Sequence, residues 1–199
     1  MKSSTLIRST KKLVKEAMAG YDASHDWNHV KRVTSLAKNI AQAEGITNKD
    51  QLEIIELGAI LHDVKDSKYS GSETASAETV RQFFLEQHYP QEKIDQVVYI
   101  VENVSFRKEG CATTSTIELD IVKDADRIDA IGAIGIARCM LFTGHKKRTM
   151  ANAIDHFDEK LFRLKHLMRT ESGKKFASAR HDVMVSYIDQ LRKELEFEV

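Results

Sequence analysis

The sequence predicts an all-α fold in a single domain, and three observations carry that expectation. The 199 residues include one proline, Pro90. Apolar residues recur at spacings of three and four along almost the whole chain, and no strand-like alternation lasts beyond a few residues. Gly20, Gly45, Gly110, Gly144 and Gly173 fall between the periodic runs, where helix C-caps and turns belong.

Taken in order, these runs place helices near 3–19, 26–44, 48–65, 72–87, 91–106, 114–142, 149–168 and 172–197. The first, in MKSSTLIRSTKKLVKEAM, is charged and amphipathic and has no apolar stretch of signal-peptide length. The second begins in SHDWNHVKRV, with Ser24 or Asp26 as N-cap and Trp27 as a packing anchor. The third ends in LGAILHDVKDSKY, where Gly58 clears space for another helix one turn before His62. The sixth, STIELDIVKDADRIDAIGAIGIARCMLF, is the most apolar long helix and is expected at the centre. Its two interior glycines, each costing about 1 kcal/mol against alanine, imply close packing against a neighbour. Asp124 and Arg127 are expected on an exposed stripe of this helix, whereas Asp126 is flanked by small and apolar residues that argue for burial. One domain is expected over 1–199, with a core at about 25–142 and C-terminal helices at about 149–197 closing a pocket.

Composition narrows the function classes. Lys plus Arg and Asp plus Glu both number 30, so no general basic surface offers a grip on a nucleic-acid polymer. A local basic pocket for a small phosphorylated ligand remains compatible with that balance. Cys111 and Cys139 have neither C-x-x-C spacing nor a framework and are expected as reduced thiols, which fits a cytoplasmic protein. No apolar run reaches about 18 residues, so no membrane span is expected.

Four residues on separate segments carry the chemistry: His29, the adjacent pair His62-Asp63, and Asp126. Two imidazoles and two carboxylates form a mixed nitrogen and oxygen donor set, which suits manganese, iron, cobalt, nickel or zinc better than Cu(I) or calcium. With DWNHVKRV, GAILHDVKD and VKDADRIDAIGAIG around them, the chain resembles the HD-domain metal-dependent phosphohydrolases. The fuller wording SHDWNHVKRV, KDADRIDAIGAIGIAR, HFDEKLFRLKHLMRTESGKK and ARHDVMVSYIDQL is similar to the YedJ/YpgQ-type bacterial branch.

The resemblance implies a helical HD bundle and a divalent cofactor, manganese first and cobalt, nickel, iron, zinc or magnesium otherwise. It implies hydrolysis of phosphate esters or anhydrides in nucleotides, with nucleoside triphosphate pyrophosphohydrolysis as the leading activity. A phosphodiesterase or 5′-nucleotidase of the same fold, or a nucleotide-binding module without turnover, are the alternatives. It also gives His29, His62, Asp63 and Asp126 as metal ligands. Asp63 and Asp66, three residues apart, are the candidate catalytic carboxylates, with Asp66 otherwise a helix-end carboxylate paired with Lys65 or Lys68. Arg32, Lys123, Lys160 and Arg180, with His25, are candidates for the substrate. Each has an alternative as a surface or ion-paired residue, Lys123 with Glu118 or Asp124. Asp129, one turn after Asp126, is a candidate to orient His29 or another of the ligands. Arg163 and His181 are further candidates for the phosphate end, and the basic loop GHKKRT either steers an anion or is a polar turn. A small nucleotide is the expected partner; oligomeric state is not read from the sequence.

Overall fold

The computed structural model describes residues 3–21, 26–65, 71–72, 74–106, 109 and 114–197, and every regular element among them is helical. Helix α1 spans Ser3–Ala17, α2 Trp27–Ala43, α3 Lys49–Leu61, α4 Ala75–Glu86 and α5 Gln91–Asn103. Three of these starts have a local cause. Asp26 caps α2, its Oδ1 accepting from the backbone N–H of Asn28 at 2.9 Å and of His29 at 3.0 Å. Asn48 caps α3 in the same way, and Pro90 stands immediately before α5, where its missing N–H costs nothing. Trp27 packs half-buried against the core with Lys15 over its ring.

The centre of the bundle is formed by α2, α3 and the sixth helix, α6 (Ile117–Asp129), each packed against the other two. Val30, Val33, Ala37 and Ile40 of α2, Ile55, Ile60 and Leu61 of α3 and Ile121, Val122 and Ile128 of α6 belong to one buried core, all essentially inaccessible. Each branched side chain so buried contributes about 1.5–3 kcal/mol. Gly58 lets α5 approach, because a Cβ there would lie 3.0 Å from two carbons of Ile100. No helix among the described residues is long and apolar enough to cross a membrane.

The continuous helix expected over 114–142 is two helices. α6 ends at Asp129 and α7 runs Gly132–His145, with a break at Ala130 and Ile131. Gly132 has φ +74°, a left-handed conformation that L side chains rarely adopt, and its missing Cβ leaves room for the stem of Arg180, whose Cβ would otherwise be 2.9 Å away. A Cβ on Gly135 would collide with the Ala130 carbonyl. The small residues of GAIG therefore build a corner between two helices, and Gly132 at that corner also packs closely against a neighbour, the Arg180 stem on the last helix.

After α7 comes α8 (Met150–His156), which passes into a π-helical turn at Phe157–Leu161 and short turns to Leu167. The long α9 (Glu171–Leu195) follows and packs on α7 and α6. Its N-terminus corrects the expected exposure of Asp124 and Arg127, which are both buried. The Asp124 carboxylate accepts from the backbone N–H of Arg169 at 3.0 Å, the N–H of Thr170 at 2.8 Å and the Thr170 hydroxyl at 2.8 Å. Burial pushes its pKa up despite these bonds. Glu44 adds a second carboxylate by accepting from the Ser172 N–H at 2.7 Å. Two anions at the positive end of a 25-residue helix complement its unpaired N–H groups. Arg127 donates to the Leu167 carbonyl and pairs with Glu109.

Candidate metal centre

Three elements bring the four expected ligands together. His29 lies in the first turn of α2, His62 and Asp63 in the turn that ends α3, and Asp126 in the last turn of α6. His29 Nε2 is 3.1 Å from His62 Nε2, 3.3 Å from Asp63 Oδ2 and 3.5 Å from Asp126 Oδ1. His62 Nε2 is 3.5 Å from Asp63 Oδ2 and 3.7 Å from Asp126 Oδ1. Ligand atoms of His29, His62 and Asp63 all fall within 4.8 Å of one another.

The partners of the outer ring nitrogens test whether this set suits a cation. His62 Nδ1 is 2.9 Å from the Ala59 carbonyl oxygen, which can only accept, so Nδ1 carries the hydrogen. His29 Nδ1 is 2.8 Å from Asp129 Oδ2, again an acceptor. In neutral rings both Nε2 atoms are then bare lone pairs, aimed at each other with two carboxylate oxygens alongside. Such a cluster is repulsive without a positive charge at its middle. The donor set, two imidazole nitrogens and two carboxylate oxygens, can hold a divalent metal ion. Burial pushes the His29 pKa down, but its hydrogen bonds to Asp129 and Asp63 outweigh burial and raise it. The ring feels the same demand for positive charge.

Behind His29 stands Asp129, with side-chain exposure of 1%. Arg32 donates to it through Nε at 2.7 Å and Nη2 at 3.0 Å, and Arg138 through Nη1 at 2.9 Å. Burial raises the Asp129 pKa, yet the bonds from His29 and Arg32 win and hold it well below the usual carboxylate range. Arg180 donates to the Ile128 carbonyl at 2.6 Å, within electrostatic reach of Asp129 and Arg32. The histidine side chains are 1% exposed, whereas Asp63 is 15%, Asp126 30% and Arg32 34% exposed. The rings form a floor, and the carboxylates with Arg32 form an open edge. Asp126 is thus less buried than its apolar neighbours suggested, because it faces this opening.

Other expected residues lie elsewhere. Lys123 is buried with its Nζ 3.9 Å from Glu109, beside Arg127 and Arg169, rather than paired with Glu118 or Asp124. Lys160 sits in the π-helical turn with its Nζ 4.7 Å from the centre of the Phe106 ring. Arg163 is exposed, His181 meets Phe162 edge to face, and GHKKRT runs from the exposed end of α7 at Gly144 and His145 into the exposed turn at 146–149. His25, Asp66 and Cys111 lie outside the described residues; Cys139 is a free thiol. Two residues escaped the sequence reading: Arg138, nine positions beyond Asp129, and Glu109, which joins Lys123, Arg127 and Arg169. Neither follows a local spacing rule.

Comparison with known proteins bears directly on this arrangement. A family model described as HD domain matches residues 26–131. YpgQ of Bacillus subtilis is 35% identical over 188 residues, covering 92% of this chain and 90% of its own. The crystal structure of YpgQ in complex with ADP superposes with a TM-score of 0.81 at 32% identity, covering 98% of this chain and 97% of that one. A structure of an HD-superfamily hydrolase from Bacillus thuringiensis gives a TM-score of 0.79 at 35% identity, covering 98% and 99%.

Proposed function

The chain belongs to the HD domain family, and from that premise we propose that it is a metal-dependent phosphohydrolase of nucleotides, converting (deoxy)nucleoside triphosphates to monophosphates and pyrophosphate. The hydrolase class follows from its neighbours. The observation that carries the finer reading is the meeting of two Nε2 lone pairs and two carboxylates beside Arg32. The ADP complex of the B. subtilis relative supports a nucleotide as the ligand.

In this reading His29, His62, Asp63 and Asp126 hold the ion. A divalent ion there supplies Lewis acidity to a phosphoryl oxygen and a water acidified toward neutrality. The protein's own contribution is placement. The histidines close the floor against solvent, and Asp63 and Asp126 leave the outer side accessible. Arg32 and Arg180 are the cations best placed for the phosphate chain, since a guanidinium holds phosphate oxygens through two parallel donors. Lys123, enclosed with Glu109, has a structural role instead. Lys160 and His25 stay candidates for more distant parts of the substrate. Asp66 is assigned acid–base work at the water or leaving group. Asp66→Asn should lower kcat by about 10²-fold or more with metal content near wild type. An unchanged kcat would return Asp66 to a helix-end carboxylate.

Product analysis tests the bond that breaks. A panel of ribo- and deoxyribonucleotides with manganese, cobalt, nickel or magnesium should give monophosphate and pyrophosphate from triphosphates. In ¹⁸O-water the label should enter one of these two products. Tripolyphosphate, or inorganic phosphate released only from monophosphates, would reject the pyrophosphohydrolase reading in favour of a phosphodiesterase or 5′-nucleotidase.

A further inference from the structure

We infer that Arg138 is a positioning residue of the metal centre, and that the corner between α6 and α7 exists to deliver it there. The inference rests on the metal-centre reading above and adds a residue to it. Arg138 Nη1 lies 2.9 Å from Asp129 Oδ2 and 3.2 Å from the Asp129 main-chain oxygen. One nitrogen thus ties the carboxylate to its own backbone and fixes the side chain relative to α6. The same Oδ2 receives His29 Nδ1 at 2.8 Å. Whatever sets the Asp129 carboxylate therefore sets the tilt and tautomer of His29, and with them the direction of its Nε2.

Arg138 could not do this on a continuous helix. Nine residues of α-helix advance about 13.5 Å along the axis, beyond any direct contact between Asp129 and Arg138. The break at Ala130 and Ile131, with Gly132 at φ +74°, turns α7 back so that its second turn faces the end of α6. The stem of Arg180 then fills the notch beside Gly132 and its Nη1 takes the Ile128 carbonyl at 2.6 Å, closing the corner from outside.

Arg32 shares Asp129 but does not duplicate this function. It stands on α2, the helix that carries His29, and its side chain is 34% exposed against 13% for Arg138. Arg32 can rotate toward a phosphate at the open edge. Arg138 is enclosed and holds Asp129 from α7.

Manganese titration by calorimetry, on wild type, Arg138→Gln and Arg138→Lys, reads the effect without turnover. Arg138→Gln should raise the manganese Kd by about tenfold, the low end of the about 10–100-fold loss usual for a ligand's direct hydrogen-bond partner, because Arg138 acts on His29 through Asp129. Arg138→Lys should recover part of the loss, since a single ammonium restores charge but not the shape of the guanidinium. ¹⁵N spectra of the metal-free proteins should show His29 held as the Nδ1–H tautomer in wild type and as a mixture in Arg138→Gln. A folded Arg138→Gln protein with wild-type Kd and the same tautomer would overturn the assignment. If that variant fails to fold, Arg138→Lys decides, and a Kd within about twofold of wild type, well short of such a loss, overturns it. No uptake of manganese by wild type would reject the metal-centre reading itself, and this assignment with it. That result is distinct from a loss confined to the Arg138 variants.

Discussion

Replacing His62 and Asp63 together by alanine should strip the metal from the purified protein and lower turnover by at least about 10³-fold, equivalent to some 4 kcal/mol of lost transition-state stabilisation. The pair supplies half of the donor set, and what remains, His29 Nε2 and Asp126 Oδ1 at 3.5 Å, is too few ligands for a stable site. Elemental analysis should find about one divalent ion per wild-type chain, the number one four-ligand site can hold, and none in the double variant. Melting gives a second reading. Manganese at about 100 times its Kd stabilises a folded protein by about 2.7 kcal/mol. At about 2–4 °C per kcal/mol for a chain of this size, the wild type should rise by roughly 5–10 °C. The double variant should not respond. Equal metal content in the two proteins would remove His62 and Asp63 from the site.

The residues that hold this site were legible because their types are chemically unusual where they stand. Histidine at a helix start, an adjacent histidine and aspartate after an apolar run, and aspartates within the apolar sixth segment each ask for a partner, and the helices bring them together. Their order along the chain carries the family pattern. Exposure within DADRID was not legible. Asp124 and Asp126 differ by one side of a helix, and what distinguishes them lies far away in sequence. Asp124 is claimed by Arg169 and Thr170, 45 and 46 residues on, while Asp126 faces the opening. The corner at 130–132 was hidden for another reason. GAIG is compatible with a closely packed helix, and only the backbone, broken at 130–131 and left-handed at Gly132, shows that it bends. Arg138 was lost with the corner, since its contact with Asp129 requires the bend.

The largest stability effect outside the metal centre is expected at Asp124. Asp124→Ala removes the acceptor from two backbone N–H groups and the Thr170 hydroxyl in a region closed to water. Each stranded donor costs about 1–3 kcal/mol, and Thr170 Oγ1 still accepts from the Gly173 N–H at 2.9 Å, which limits the damage. A loss of about 3–5 kcal/mol follows, or a fall in Tm of about 6–20 °C. Gly173→Ala should also destabilise, because its new methyl would press on the same Asp124 oxygen and, 2.7 Å away, on Thr170 Oγ1. The two losses should not add. In the Asp124→Ala background the carboxylate is gone and the methyl introduced by Gly173→Ala meets only the Thr170 hydroxyl, so its penalty shrinks. Thermal melts of the wild type, both single variants and the double variant should give a coupling of about 1 kcal/mol or more in favour of the double variant, within the range for residues in direct contact. Strict additivity would mean that Gly173 is not required by the approach of Asp124, and that the start of α9 is set by Thr170 and Glu44 alone.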